Sequence, residues 1–109
     1  MKHVKKKALE KAGWKIGSVG EFLELSDEEA AYLEMRLLLV HKLRSLRERK
    51  KISQVELAKM IGSSQSRIAK IEAGDMSVST DLILKAILAL GATRTQIAKT
   101  LGSTVRNVA

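Results

Sequence analysis

The sequence predicts an all-α fold, a compact bundle of five to seven helices, and three observations point there. First, four Ser/Thr-x-x-Glu/Gln pairs (Ser18 with Glu21, Ser26 with Glu29, Ser53 with Glu56, Thr93 with Gln96) precede apolar residues at helical spacing. In such a pair each side chain satisfies a backbone N–H that the helix start leaves unbonded. Second, the 109 residues contain no proline and only three aromatics, Trp14, Phe22 and Tyr32, which argues against a β-sandwich and against a stacking platform for single strands. Third, Ser53 to Gly74 (SQVELAKMIGSSQSRIAKIEAG) reads as two short helices meeting at a tight turn.

Met1 to Lys15 is a Lys-rich arm in which Val4, Ala8, Leu9 and Ala12 fall at loose helical spacing and Gly13 ends the run. A short helix and partial disorder are both compatible with that pattern. Trp14 and Ile16, between Gly13 and Gly17, are large apolar residues in a stretch otherwise suited to solvent. Ser18 opens a helix of one or two turns with Val19, Phe22 and Leu23 on its inner side.

From Asp27 one long helix is predicted to about Arg49. Asp27, Glu28 and Glu29 sit at its start and Arg47, Arg49, Lys50 and Lys51 at its end, as the helix dipole favours. Leu33, Leu37 and Val40 form one apolar stripe; Met35, Leu39, Leu43 and Leu46 form another. That exceeds what a helix on a single core needs, so its first half is expected to pack on a second subunit or on the N-terminal segment.

In the paired helices that follow, Ser53 caps the first, Leu57, Ala58 and Ile61 form its inner face, and Gly62 supplies the left-handed residue past its end. Ser63 or Ser64 caps the second, where Ile68 and Ile71 face inward and Gln65, Ser66, Ala69 and Lys70 outward. An amide, a hydroxyl, a small residue and an ammonium suit base edges and phosphates in a major groove. After a loop at Asp75 to Val78, Ser79 caps a helix over Thr80 to Leu90 with Ile83, Leu84, Ile87 and Leu90 as core candidates. Thr93 opens a last helix through Ile97, Ala98 and Leu101. The final AKTLGSTVRNVA echoes AKMIGSSQSRIA at an offset of 40. Shared cap-and-turn chemistry accounts for this better than a second reading helix, for which the residues run out.

Net charge is +8 with a pI near 10.0, the footprint of a nucleic-acid binder. The charge comes in blocks: six Lys against Glu10 in residues 1–20, six acids and no base in 21–35, and seven bases against Glu48 in 36–51. The acidic block reads either as helix-start charges in solvent or as a surface for a basic protein. With no cysteine and only His3 and His41, a metal site is not expected, and neither is a cofactor. His41 reads as a surface or interface residue. Nothing assembles paired carboxylates in a cleft, so no catalytic residue is named and an enzyme is not expected. No apolar run approaches a membrane span, and the basic N-terminus lacks the apolar segment of a signal peptide, which points to the cytoplasm.

Gln54, Leu57, Ala58, Gly62, Gln65, Ile68, Glu72 and Gly74 stand in the spacing Q-x-x-L-A-x-x-x-G-x-x-Q-x-x-I-x-x-x-E-x-G. That pattern resembles the Cro/C1-repressor-like (XRE) helix-turn-helix family, over roughly Met35 to Leu101. The resemblance implies a lambda-repressor-like core and double-stranded operator DNA as partner, bound by a homodimer so that two half-sites are read together. Base contacts are assigned to Gln65, Ser66, Ala69 and Lys70, and phosphate contacts to Gln54, Ser64, Arg67 and Lys59. For Ser64 pure capping is the competing reading, and for Lys59 a solvated charge. The family commonly pairs an Arg late in its first helix with the Glu before the Gly, which here implies an Arg47–Glu72 ion pair.

The whole chain, with GWKIGSVGEFLELSDEEAAYLEMRLLL ahead of that domain, resembles HigA-like antitoxins of type II toxin–antitoxin pairs. This implies three parts: a partner-binding extension at residues 1–34, a DNA-binding domain at 35–101 and a tail at 102–109. The extension would cover a RelE/HigB-like RNase toxin, with Trp14, Phe22, Glu24 and Glu28 as candidate contacts. The same protein would repress its own operon. The alternatives are a stand-alone regulator and an interaction module that no longer binds DNA.

Overall fold

The computed structural model describes residues 24–104. Five helices run in order: α1 (Asp27–Arg49), α2 (Gln54–Met60), α3 (Gln65–Glu72), α4 (Thr80–Ala89) and α5 (Arg94–Leu101), with no strand among the described residues. Residues 1–15, the helix expected from Ser18, and residues 105–109 lie outside the described residues, as do Trp14 and Phe22.

Every helix starts on a hydroxyl cap. Ser26, Ser53, Ser64, Ser79 and Thr93 have extended backbones, and each side chain accepts the N–H three residues on. At Ser26, Ser53 and Thr93 the reciprocal bond from the cap N–H to Glu29, Glu56 and Gln96 completes the box. The ends are built alike. Past α1, α2, α3 and α4, two crossed hydrogen bonds close the last turn around a left-handed residue: Lys51, Gly62, Gly74 and Gly91. Three of the four are glycine. Lys51, at φ +57°, holds the same conformation with a side chain in place.

The core joins Leu39, Leu43 and Leu46 of α1 to Leu57 and Ala58 of α2, Ile68 and Ile71 of α3, and Ile83, Ala86, Ile87 and Leu90 in and after α4. Val78 and Ala92 complete it from the loops. α1 is the central strut, packing on α3, α4 and α5, while α2 and α3 pack on each other. α5 buries no residue fully; Ile97 and Leu101 lean on the core from its edge.

The α1 stripes need correction. Leu39, Leu43 and Leu46 are buried, but Met35 is 41% exposed, and Leu38, absent from both stripes, is 1% exposed. Leu33, Leu37 and Val40 are half-buried. Periodicity identifies a face but not which residues along it find partners: the main core cluster takes in α1 from Leu39 onward, and Leu38 is buried outside that cluster. Leu84, a core candidate, is likewise half-buried. α1 runs unbroken through residues 34 and 35, where the sequence reading places a boundary. No helix among the described residues is long and apolar enough to cross a membrane.

Candidate nucleic-acid interface

The interface grows out of the α2–turn–α3 unit. Leu57 and Ala58 of α2 and Ile68 and Ile71 of α3 are buried, so the two helices share an apolar seam on one side only. Gly62 turns the chain at φ +64°, where the Ser63 N–H reaches back to the Ala58 carbonyl at 2.8 Å. Ser64 then caps α3, its Oγ accepting the Arg67 N–H at 3.2 Å. With the isoleucines inward, Gln65, Ser66, Arg67 and Lys70 are exposed on α3 and Ala69 is half-buried among them. Ser64 and Lys59 are exposed beside them, and Gln54 is half-buried at the start of α2.

A line of polar contacts connects the core to that outer face. The Arg47 guanidinium donates through Nε to Glu72 Oε2 at 2.6 Å, through Nη2 to Glu72 Oε1 at 2.8 Å and through Nη1 to the Ile52 carbonyl at 2.8 Å. Glu72 Oε1 also accepts from Gln54 Nε2 at 3.1 Å, and Gln54 Oε1 accepts from Gln65 Nε2 at 2.7 Å. Burial pushes the Glu72 carboxyl up. The hydrogen bonds from Arg47 and Gln54, with the guanidinium charge, outweigh that and hold it below the ordinary glutamate range. The bond to Glu72 in turn raises Arg47. Within this chain Gln65 spends one amide proton and Gln54 one amide proton and its oxygen. Gln65 keeps its oxygen and a second amide proton for another partner.

Beside α3, Arg67 and Lys70 share an open cleft of about 350 Å³ with Ser77, Val78, Ser79 and Leu82, from the α3–α4 loop and the start of α4. The Asp75 carboxylate accepts the Ser77 N–H at 2.8 Å, and that bond holds its carboxyl low, with smaller contributions from Lys70 and Arg36. From the sequence Ser79 is assigned only as a helix cap, and Ser77 and Arg36 are not singled out. A serine-rich loop carries no pattern of its own, and Arg36 looks like one more charge in a basic block.

The remaining candidates lie apart from this face. Glu24 and Glu28 are exposed at the start of α1, Glu24 at φ +56°. His41 is exposed midway along α1. No group of His, Cys, Asp or Glu side chains able to hold a metal ion occurs among the described residues.

A protein-family model described as Helix-turn-helix (HTH_3) matches residues 43–97, just over half of the 109, from the core end of α1 into α5. No curated protein and no solved structure matches the chain. The matched span contains the α2–turn–α3 unit, its ion pair and its polar outer face. The chain belongs to the XRE-type helix-turn-helix family, and it is a DNA-binding transcription regulator.

Proposed function

We propose that the protein is a sequence-specific repressor that reads its operator with α3. The observation carrying this reading is the Gln54–Gln65 bond, which braces Gln65 from behind while leaving it one donor and one acceptor. Those are the two groups needed for a bidentate pair with adenine N7 and N6. Ser66, Ala69 and Lys70 would lie against neighbouring bases. Gln54, with one amide proton left, Ser64, Arg67 and Lys59 would hold phosphates and set the register. A single helix of eight residues reaches few bases, so the working form is a homodimer on two half-sites.

The test is a mobility shift on the promoter region of its own gene. Specific retardation that weakens steeply with salt is the expected result. Wild-type binding to that fragment no tighter than to unrelated DNA would refute sequence-specific reading.

The narrower role we propose is that of an antitoxin acting in the cytoplasm, which autoregulates its operon and neutralises a RelE/HigB-like RNase toxin. It is supported by the resemblance to HigA-like antitoxins and by the exposed acidic start of α1, where Asp27, Glu28 and Glu29 give a basic partner a surface of opposite charge. Co-expression with the product of a neighbouring small basic reading frame tests it. Rescue of growth together with co-purification supports the role, and a lone gene with no such neighbour favours a stand-alone regulator.

A further inference from the structure

Arg36 is 2% exposed and forms no ion pair with any described residue. Its Nη1 donates to Thr80 Oγ1 at 3.0 Å and its Nη2 to the Asp75 carbonyl at 2.8 Å, while its Nε is buried without a partner. The Tyr32 hydroxyl shares Thr80 Oγ1. Both side chains come from the part of α1 that precedes the family-matched residues 43–97. As packing, this is a poor bargain, since an apolar side chain of similar volume fills such a space at lower free energy than a buried, incompletely bonded cation. The charge also sits at the first turn of α4, where the helix dipole is already positive.

What the guanidinium adds is geometry and potential. Its two nitrogens pin both ends of the segment Asp75 to Thr80, which carries the Ser77 and Ser79 wall of the cleft whose other wall is Arg67 and Lys70. Arg36 and Lys70 both act on the Asp75 carboxylate, Arg67 lies beside Lys70 in the cleft, and none of the three cations forms an ion pair among the described residues. We infer that Arg36 is a positioning residue for DNA-backbone binding, holding the α3–α4 loop so that this cleft seats a backbone phosphate of the duplex. This rests on the DNA-binding reading and adds to it a residue from outside the helix-turn-helix.

The experiment is a salt titration of binding to a fluorescently labelled duplex of mixed sequence, followed by anisotropy, for wild type, Arg36→Met and Thr80→Val. Thermal melts establish that each variant is folded. Wild-type affinity should fall linearly in log–log form with salt. Arg36→Met should bind about tenfold more weakly, as for one lost charge-assisted contact, with a slope lower by about 1, as for one lost phosphate. Thr80→Val, which removes one of the two anchors and leaves the Ser79 cap, should move both quantities the same way by less. A folded Arg36→Met with wild-type affinity and slope overturns the inference, and so does weakened binding with an unchanged slope. If Arg36→Met does not fold, Thr80→Val decides by the same two criteria. Absence of salt-dependent binding by wild type would instead bring down the DNA-binding reading, and the Arg36 role with it.

Discussion

The Arg47 guanidinium grips the Glu72 carboxylate through two parallel hydrogen bonds, 2.6 and 2.8 Å long, and so ties the end of α1 to the end of α3. The side chains are only 13% and 6% exposed, so neither charge is left to water. Glu72→Ala strands the guanidinium and should cost about 3 kcal/mol in chemical denaturation. Replacing both residues with apolar ones of similar size should recover much of that loss, because no orphaned charge remains. A single variant as stable as wild type would show that the pair carries no weight.

The same pair sets an acid limit. The Glu72 carboxyl is lower in the folded protein than in the unfolded chain, so the unfolded state binds the proton more readily below the ordinary glutamate range. Its contribution to stability is fully present above about pH 4.3 and is lost as pH falls through the lower folded-state value. Glu56 and Asp75, held low chiefly by backbone N–H groups at Ser53 and Ser77, shift in the same direction. Thermal melts from pH 7 down to pH 3 should fall steeply at the acid end, and less so for Glu72→Gln relative to its own neutral value.

On DNA the two glutamines should separate. Gln65→Ala should remove about 1–3 kcal/mol of discrimination at one base pair and relax sequence preference. Gln54→Ala should weaken binding to all sequences, and should also loosen Gln65, whose amide it braces. Competition shifts with operator and scrambled duplexes measure both effects. Two silent substitutions would mean that α3 is not the reader.

Helix ends offer a check on backbone strain alone. Lys51 occupies the left-handed position that glycine fills after α2, α3 and α4. Lys51→Gly should therefore stabilise by about 1 kcal/mol, the steric cost of a Cβ at positive φ. Gly62→Ala should cost about as much, since an added Cβ would meet nothing within 4 Å and only the backbone objects. Denaturation midpoints for the two variants should move in opposite directions.

Caps, stops and the α2–turn–α3 unit were legible in the chain because they are local. A hydroxyl three residues before Glu or Gln, and a glycine after the last apolar residue, act within one turn of backbone, so Ser26, Ser53, Thr93 and Gly62 declare their roles in linear order. The outward set Gln65, Ser66 and Lys70 was legible for the same reason, since the isoleucines opposite it fix the rotation of α3. Tertiary structure alone decided where α1 stops being core, leaving Met35 in solvent and Leu38 buried. It also decided that Gln54 spends its amide on Glu72 and Gln65, and that Arg36 is buried against Thr80 and the Asp75 carbonyl, 44 and 39 residues away. Contacts between distant parts of the chain depend on how the helices are placed in space, and periodicity within one helix carries no record of that placement.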